Sequence, residues 1–354
     1  MSEHFNLTVR SSSHEYGVDV AADGLEVLLA SQPDALLIVD QRFVAEPAFA
    51  GRRTLSVVAD EEHKTLAEVG RLLVELREAG AGRSDRLIAV GGGVVQDVAT
   101  LTAQLYMRGL PWSYAPTTLL AMVDSCIGGK SSINAGSFKN LVGSFYPPTS
   151  VAVDPRFLKT LPEVAIAGGL AEATKIAYCR GPQEFERYLK LEEGFEADPS
   201  QLIYHSLDTK RWFIEIDEFD TGPRLFLNFG HTFGHALEVA TDFRISHGIG
   251  IALGMFAAEQ FGSKTGYGAS DARLSDHAIA LAKVDPECSN AGSRLDIRAF
   301  EAAFLADKKH GPDGLHLILP DAAGSVAEVV VPRTDAMVAA ASEAVDSALA
   351  MVVR

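Results

Sequence analysis

The chain has 354 residues, enough for two domains with a buried core, and its 47% hydrophobic and 22% charged content is ordinary for a soluble globular protein. A formal net charge of −16 argues against binding to nucleic acids or anionic membranes, which need a basic surface, but not against a small anionic substrate in a locally basic site. The three cysteines are scattered without a Cys-x-x-Cys pair, no apolar run reaches the length of a membrane span, and the N-terminus lacks a signal-peptide pattern, so we expect a cytoplasmic protein.

The first half of the chain predicts an α/β domain with a mainly parallel sheet. Short apolar runs, some continuous and some alternating with polar residues, are typical of strands, and an amphipathic stripe ending near Ala79 is typical of a helix. Because strands and helices alternate along the chain, we expect the strands to pair in parallel. The predicted strands are 5–10, 16–20, 35–39, 54–58, 87–90 and 111–115, and the predicted helices are 24–30, 66–79 and one that begins at Val94.

A glycine turn, Gly91-Gly92-Gly93, directly follows the strand at 87–90 and precedes a helix. Strand, glycine turn and helix together can place backbone N–H groups and a helix N-terminus against a pyrophosphate. The triplet is not a full Gly-x-Gly-x-x-Gly motif, so a glycine turn without a ligand is the alternative. The other residues of this candidate dinucleotide site are Asp40, Glu61, Lys64, Asp97, Thr117 and Thr118.

The segment 123–134 is the densest run of polar residues and glycine in the chain. It contains Asp124 and Lys130, and Lys139 and Asn140 follow closely. We predict a flexible loop with a functional role here. The alternative is a solvated turn that carries these residues without one.

Helical patterns dominate from residue 154 onward, and three prolines between 147 and 155 punctuate the change. We therefore predict two domains, an α/β domain at 1–155 and a mostly helical domain at 156–354. The helical patterns of the second domain extend to 180 and recur at 185–191, 202–217, 232–241, 250–264 and 336–352, with one returning or edge strand at 315–319.

The stretch 228–238 holds two histidines four residues apart, His231 and His235, and His247 follows in a Ser-His-Gly context. Interleaved apolar residues at helical spacing place the first two on one face of a helix, which is a frequent start to a metal site. Catalytic zinc sites take three protein ligands, and Glu172, in another predicted helix, can supply a carboxylate. A capping or core histidine pair is the alternative.

Together these motifs resemble the dehydroquinate synthase family, that is, the dehydroquinate synthase-like sugar phosphate cyclases. They follow the family's order from about residue 16 to residue 320, which is most of the chain. The matching segments are GGGVVQD at 91–97, YMRG at 106–109, PTTLL at 116–120, VDSCIGGK at 123–130, KN at 139–140, LAE at 170–172, LNFGHTFGHALE at 227–238 and DKK at 307–309.

The resemblance implies an N-terminal NAD-binding α/β domain, a mostly α-helical C-terminal metal-binding domain, and an active site in the cleft between them. It implies that Glu172, His231 and His247 bind one divalent metal, zinc or cobalt, whereas His235 faces the substrate. The residues that match contacts to the substrate's carboxylate, hydroxyls and phosphate are Asp124, Lys130, Asn140, Lys175, Lys210, Arg224, Asn228, His235 and either Lys308 or Lys309.

The same resemblance implies an NAD site and a homodimer. Arg108 matches an arginine that the family presents to the neighbouring subunit's site. Glu61, Lys64, Asp97, Thr117, Thr118 and Lys139 match NAD contacts, and they join Asp40, Gly92 and Gly93 as the predicted cofactor-binding residues.

The activity that the resemblance implies is that of 3-dehydroquinate synthase, a carbocycle-forming phosphorus–oxygen lyase of the shikimate pathway to aromatic amino acids. Its substrate would be 3-deoxy-arabino-heptulosonate 7-phosphate. Transient oxidation by NAD, phosphate elimination, re-reduction and intramolecular aldol closure would yield 3-dehydroquinate and regenerate NAD. A substrate with a carboxylate and a phosphate needs a cluster of cations, and the lysines and arginines of these motifs supply one despite the acidic total.

Three departures from the family pattern lie beside the expected cofactor and substrate. Gln96 stands where the family usually has glycine, the segment 131–138 differs from the family's usual sequence, and the spacing from Lys175 to Lys210 is short. These departures keep other functions open. One alternative is another sugar phosphate cyclase of secondary metabolism, of the amino-dehydroquinate, 2-epi-5-epi-valiolone or 2-deoxy-scyllo-inosose synthase type. The others are a metal-dependent polyol dehydrogenase and an inactive binding protein.

Overall fold

The computed structural model describes residues 4–136, 138–291 and 295–353. Its contacts divide the chain into two compact units. The first, here the sheet unit, comprises Met1–Leu161 and Glu193–Asp220, and the second, here the helical unit, comprises Pro162–Glu192 and Thr221–Arg354. The predicted fold class is confirmed, with a mainly parallel sheet in one unit and mostly helices in the other. The domain boundary predicted at 155/156 stays a prediction.

The sheet unit is built on seven strands in the order β1-β2-β9-β6-β5-β3-β4. Only the β1–β2 pair is antiparallel among the pairings described. β3 and β5 are buried along their whole length because they are apolar on both faces and lie in the middle of the sheet. The strands of this unit are β1 Phe5–Arg10, β2 Glu15–Val20, β3 Leu36–Asp40, β4 Thr54–Val57, β5 Leu87–Gly91, β6 Trp112–Pro116, β7 Lys130–Ala135, β8 Phe138–Phe145 and β9 Ser150–Val153.

The segment predicted as a flexible loop is ordered, so that prediction was wrong. A π-helical turn, Ala121–Ser125, is followed by an antiparallel hairpin of β7 and β8. β7 was not predicted as a strand because only one of its two buried residues, Ile133, is apolar, and the other is Ser131. The alternation of apolar and polar residues is therefore weak.

The helices of the chain number twelve within the described residues. In the second half six of them correspond to the predicted helical patterns, whereas the helices at Ala272–Ala282, Pro286–Ala291 and Ile297–Leu305 were not predicted. One of the six, α6, was predicted in the second domain, yet it lies in the sheet unit. There the ring of Tyr204 stacks on Phe5 of β1, and the Ser206 hydroxyl donates to the carbonyl of Val123. The helices are α1 Gly24–Ser31, α2 Leu66–Glu78, α3 Gly93–Leu105, α4 Glu163–Arg180, α5 Pro182–Glu192, α6 Ser200–Ile216, α7 His231–Ala240, α8 His247–Thr265, α9 Ala272–Ala282, α10 Pro286–Ala291, α11 Ile297–Leu305 and α12 Asp335–Val353.

The helical unit is organised around α8, which is buried along most of its length. Glycines let α4 and α7 approach it backbone to backbone: a Cβ on Gly248 would lie 2.4 Å from the Cα of Gly168, and one on Gly254 would lie 2.1 Å from the carbonyl oxygen of Gly230. The strand predicted at 315–319 is β10, Leu315–Pro320, and it pairs with β11, Val326–Val331, in a two-stranded sheet.

The last helix, α12, is long and apolar enough to cross a membrane by length and composition, with a mean hydropathy of 1.6. No apolar run of that length was predicted from the sequence. It packs against α8, and its residues Ala341, Val345 and Ala348 are buried there. A helix that packs in the core of a globular unit can be as apolar as a membrane span, so length and composition alone do not distinguish the two.

A buried cluster around Glu192 at the end of α5 makes stability depend on pH. The hydroxyl of Tyr188 donates to Glu192 Oε1 at 3.1 Å, and His277 Nε2 lies 3.5 Å from Glu192 Oε2. Burial raises the pKa of Glu192 from 4.5 to about 7 and lowers the pKa of His277 to about 4. Because the pKa of Glu192 is higher in the folded chain than in the unfolded one, the stability that Glu192 contributes is lost as the pH rises from about 4.5 through 7, whereas the lowered pKa of His277 acts in the opposite direction between about 4 and 6.5.

We expect Glu192→Gln to raise the melting temperature at pH 8 by about 2–6 °C, since it removes a charge that burial disfavours and keeps an acceptor for Tyr188. At pH 4.5 the same variant should have the melting temperature of the wild type. Thermal unfolding followed by circular dichroism between pH 4.5 and 8.5 measures both. The exposed neighbour Glu193 provides the control variant Glu193→Gln, and an equal shift of Glu192→Gln at both pH values would refute the burial argument.

Candidate functional site

The glycine turn lies at the carboxyl edge of the parallel sheet, between β5 and α3. The chain runs from β3 to its neighbour β4 at the edge of the sheet and then returns to β5, on the other side of β3. The strand order therefore reverses between β3 and β5, and such a point is the usual ligand position in these sheets. A Cβ on Gly92 would lie 2.9 Å from Thr118 Cγ2, whereas no atom of the described residues lies within 4 Å of the corresponding point on Gly93. The space over the N-terminus of α3 therefore fits a pyrophosphate.

Three further predicted cofactor residues border this edge. The side-chain oxygen of Thr117 is buried without a hydrogen-bond partner among the described residues, so a polar ligand atom fits it. Thr118 Oγ1 accepts the backbone N–H of Ala121 instead. Asp40, at the end of β3, is buried, and its carboxylate pairs with the Arg42 guanidinium at 2.6 Å.

The remaining predicted cofactor residues meet in one polar network with the β7–β8 hairpin. Lys64 Nζ lies 2.7 Å from the carboxylate of Asp97 and donates to Asn140 Oδ1 at 2.8 Å. The backbone N–H and hydroxyl of Ser132 both donate to Asp97, and burial raises the pKa of Asp97 more than these donors lower it. Glu61 accepts from Asn134 on the same hairpin. Lys139 is exposed on β8.

Two of the predicted catalytic lysines of the sheet unit are paired with aspartates. Lys210, buried on α6, donates to the backbone carbonyl of Asp124 at 2.6 Å and lies 2.8 Å from its Oδ1 atom. Lys130, at the start of β7, is half exposed and lies 2.6 Å from Asp220 Oδ2. The cations that the sequence predicted for an anionic substrate are therefore present and oriented.

Arg108 is exposed on a strained turn. Met107 and Arg108 adopt left-handed backbone conformations, with φ of 48° and 73°, and Gly109 follows with φ of 120°. Such conformations in residues other than glycine cost about 1–3 kcal/mol each and concentrate at functional sites. The turn is held by Tyr146, whose hydroxyl donates to the carbonyl of Leu110.

In the helical unit, three predicted metal ligands come together from three helices. Glu172 on α4 points its Oε1 atom at His247 Nε2, 3.3 Å away, and at His231 Nε2, 3.9 Å away. All three are placed by the glycine contacts of α8, because Glu172 lies one turn after Gly168 and each histidine adjoins a contacting glycine. One carboxylate oxygen and two imidazole nitrogens fit zinc or cobalt.

Each of these histidines is oriented through its other ring nitrogen. His247 Nδ1 hydrogen bonds with Glu238 Oε1 at 2.8 Å, and His231 Nδ1 with the backbone carbonyl of Phe229 at 3.2 Å. This arrangement is typical of metal-binding histidines, since it fixes the ring and leaves Nε2 for the metal. Glu238 was not assigned a role from the sequence, although its position one turn after His235 on the same face was a usable signal.

Without a metal, a proton on His247 supplies the positive charge between these groups, and a bound metal would displace it. Burial opposes a charged Glu172, but Lys175 and His247 outweigh it and lower the pKa of that carboxyl. Burial likewise opposes a charged His247, but its bonds to Glu172 and Glu238 raise its pKa to about 10. Burial lowers the pKa of His231, so that its nitrogen stays available to a metal at neutral pH.

His235 belongs to the same group by distance. Its ring centroid lies 5.1 Å from that of His231 and 5.4 Å from that of His247, and one nitrogen of each of the three lies within 4.8 Å of the others. Burial lowers the pKa of His235 to about 4, so it is a neutral imidazole. The geometry accommodates His235 either as a ligand or as a group facing the substrate.

The other predicted substrate residues of the helical unit surround this cluster or lie close in sequence. Lys175 contacts Glu172, and Arg224 is buried in the turn Pro223–Asn228. Asn228 donates to the carbonyl of Leu225. The two late lysines differ: Lys308 is exposed, whereas Lys309 lies 2.6 Å from Asp307 and lowers the pKa of both His231 and His235.

Comparisons with known proteins agree along the chain. The family models described as 3-dehydroquinate synthase N-terminal and 3-dehydroquinate synthase C-terminal match residues 54–167 and 169–310. The 3-dehydroquinate synthase of Campylobacter concisus (strain 13826) is 36% identical over 308 residues, which cover 86% of this chain and 84% of the relative.

Solved structures with the same fold include two carbocycle-forming enzymes. A 2-deoxy-scyllo-inosose synthase complexed with carbaglucose-6-phosphate, NAD+ and Co2+ matches with a TM-score of 0.80 and 24% identity, covering 97% of this chain and 100% of its own. The 2-epi-5-epi-valiolone synthase of Streptomyces hygroscopicus subsp. jinggangensis 5008, with NAD+ and Zn2+ bound, matches with a TM-score of 0.77 and 22% identity, covering 95% and 96%.

Substitution separates the two roles open to the histidines. We expect His231→Ala to lose the bound metal, because it removes a nitrogen that faces Glu172, and His235→Ala to retain it. Metal content of the purified variants, measured by mass spectrometry of the digested protein, decides the point. His247→Ala is the positive control, and equal metal loss in His235→Ala would restore the interpretation of His231 and His235 as a ligand pair.

Proposed function

We propose, since this chain belongs to the 3-dehydroquinate synthase family, that it converts 3-deoxy-arabino-heptulosonate 7-phosphate to 3-dehydroquinate and phosphate. At the level of reaction class it is a carbocycle-forming sugar phosphate cyclase, as its 3-dehydroquinate synthase relatives indicate. The observation that carries the specific proposal is that each unit of this acidic chain presents oriented lysines, Lys130 and Lys210 in the sheet unit and Lys175 beside the carboxylate–imidazole cluster of the helical unit.

NAD and one divalent metal are the proposed cofactors, and the residues present fit both. The metal would be held by Glu172, His231 and His247, and NAD would lie over the glycine turn, with Asp97 and Thr117 among its contacts. When bound, NAD supplies reversible hydride acceptance, and zinc or cobalt supplies a Lewis acid that lowers the pKa of a coordinated hydroxyl.

The chain's own groups bind and orient the substrate. Lysines and Arg224 offer charge-assisted hydrogen bonds to its carboxylate and phosphate, and Arg224 presents a planar fork suited to either. Asn228 and Asn140 offer amide groups to its hydroxyls. His235, neutral at physiological pH, can donate one hydrogen bond and accept another at a substrate hydroxyl.

Of the two late lysines, Lys309 is the one we assign to the substrate. Its charge acts on His231 and His235, whereas Lys308 is exposed. Asp307 holds the Lys309 ammonium at 2.6 Å. Lys308 is the matched control for any substitution at Lys309.

The protein acts, in this proposal, as a cytoplasmic homodimer. Arg108 stands exposed on its strained turn with no hydrogen bond or ion pair to another described residue, which suits an arginine offered to a second copy of the chain. The three cysteines are unpaired and buried, as expected in a reducing compartment.

A second candidate is a related cyclase that takes another sugar phosphate. It is favoured by the segment 131–138, where Ser132 places its hydroxyl between Asp97 and Asn140 and so adds a donor beside the predicted sites. Such a donor can change which substrate hydroxyl is accepted.

We expect the purified protein, loaded with NAD and zinc, to release phosphate from 3-deoxy-arabino-heptulosonate 7-phosphate without net accumulation of NADH. Phosphate release and absorbance at the NADH band, measured across a panel that includes a ketoheptose 7-phosphate and glucose 6-phosphate, distinguish the candidates. Release from one of the other sugar phosphates alone would replace the proposed substrate, and steady NADH formation from a simple polyol would indicate a dehydrogenase.

Mixing two strongly impaired variants tests the homodimer. If Arg108 serves the neighbouring subunit and Lys210 its own, a heterodimer of Arg108→Ala and Lys210→Met has one site without either lesion. An equal mixture, exchanged by brief dilution and reconcentration, should recover about a quarter of wild-type activity, because about half of the dimers are mixed and half of their sites are intact. Phosphate release measures it, each variant alone is the control, and no recovery in verified heterodimers would show that Arg108 does not act in the other subunit.

A further inference from the structure

Gln96 is a buried glutamine that the proposed chemistry leaves without a role. It lies in the first turn of α3 and is 3% exposed. Its side-chain amide makes two reciprocal hydrogen bonds with one residue: Gln96 Nε2 donates to the backbone carbonyl of Ser125 at 2.6 Å, and the Ser125 hydroxyl donates to Gln96 Oε1 at 2.7 Å. A pair of bonds of this kind fixes the orientation of both groups.

The two ends of Gln96 belong to different parts of the predicted site. Its backbone N–H donates to the carbonyl of Gly92 at 3.0 Å, so its main chain is part of the glycine turn proposed for NAD. Its side chain holds Ser125, the last residue of the π-helical turn Ala121–Ser125. Gln96 therefore connects the cofactor turn to the segment that carries Asp124.

Asp124, the residue before Ser125, is held from its other side by Lys210. The Lys210 ammonium contacts both the backbone carbonyl and the carboxylate of Asp124. A π-helical turn is a rare and weakly favoured conformation that occurs mostly at functional sites, so it depends on bonds from outside the turn. Within the described residues, those bonds come from Gln96 at Ser125, Lys210 at Asp124 and Ser206 at Val123.

The geometry points to Gln96 as a positioning residue that acts through Ser125 to hold Asp124 and Lys210 in place for the substrate. The inference rests on the proposed cyclase function for the roles of Asp124 and Lys210. Removing the amide leaves the carbonyl and hydroxyl of the half-buried Ser125 without these partners, and the turn relaxes to satisfy them. A shift of about 1 Å in groups that orient a substrate is enough to lower the rate by about 100-fold.

Kinetics of Gln96→Leu, which keeps the size of the side chain and removes both hydrogen bonds, test the inference. We expect kcat/KM for the sugar phosphate to fall by about 10- to 100-fold, while the dissociation constant of NAD, measured by calorimetric titration, stays that of the wild type. Gln104→Leu, at a partly buried glutamine of the same helix, is the control and should keep wild-type kinetics. A parallel loss of NAD affinity, or unchanged kinetics in Gln96→Leu, would overturn the inference.

Combining substitutions shows whether Gln96 acts through the turn. In a Lys210→Met background the further change Gln96→Leu should lower kcat/KM only slightly, because the group that Gln96 positions is gone. If kcat/KM falls there as far as it does in the wild-type background, Gln96 does not act through Lys210. Ser125→Ala removes only the hydroxyl and is the second variant if Gln96→Leu does not fold. It should lower kcat/KM in the same direction by a smaller factor, and wild-type kinetics in Ser125→Ala would count against the pair.

Hydrogen exchange tests the same contact without any substrate, so it distinguishes a failure of this inference from a failure of the proposed function. We expect amides in residues 121–128 to exchange at least about tenfold faster in Gln96→Leu, or in Ser125→Ala, than in the wild type, with the strands of the sheet unit unchanged. The Gln104→Leu control should match the wild type. If the wild type releases no phosphate from any sugar phosphate, the proposed function fails, yet faster exchange would still support the positioning contact; unchanged exchange in a folded variant would overturn it.

Discussion

Close backbone contact between helices is the constraint on which the site in the helical unit depends. α4 and α7 can approach α8 only because Gly230, Gly248 and Gly254 lack side chains, and any Cβ at the two positions on α8 would overlap main-chain atoms. Glu172, His231 and His247 lie within one turn of these contacts, so the separation of the helices sets the separation of the ligands. Packing distance, rather than the identity of the ligands alone, decides whether the carboxylate and imidazoles face a common point.

Five lysines predicted for the site share a second feature, which is that each is already paired with an acid. Lys64 pairs with Asp97, Lys130 with Asp220, Lys210 with Asp124, Lys175 with Glu172 and Lys309 with Asp307. These pairs reconcile a net charge of −16 with binding of an anionic substrate, because the carboxylates hold the ammonium groups in place until a phosphate or carboxylate of the substrate competes for them. The cost is some affinity, since each new bond replaces an existing one, and the benefit is orientation that the free chain already possesses.

Features with a local signal were predictable from the sequence, and features that arise from the path of the chain were not. The glycine turn after β5, the helical spacing of His231 and His235, and the long helices of the second half are visible in short windows, so their existence and approximate bounds were predicted. The β7–β8 hairpin was missed because the buried face of β7 is mostly small and polar, and the packing of α6 on β1 was not foreseen because it is a contact between residues about 200 positions apart. The residue types at the site followed from the family resemblance, but the partners did not: Glu238 at His247, and Ser125 at Gln96, are known only from the folded chain.

In the proposed homodimer, the strained turn at Met107 and Arg108 sets selection for stability against selection for function at Arg108. Glycine or asparagine tolerates the left-handed backbone found there, with φ of 48° and 73°, better than methionine or arginine does. A library screened for thermal resistance alone would therefore enrich those residues at both positions and discard the exposed guanidinium. Engineering of this protein for industrial temperatures must hold Arg108 fixed and seek its gains elsewhere in the chain.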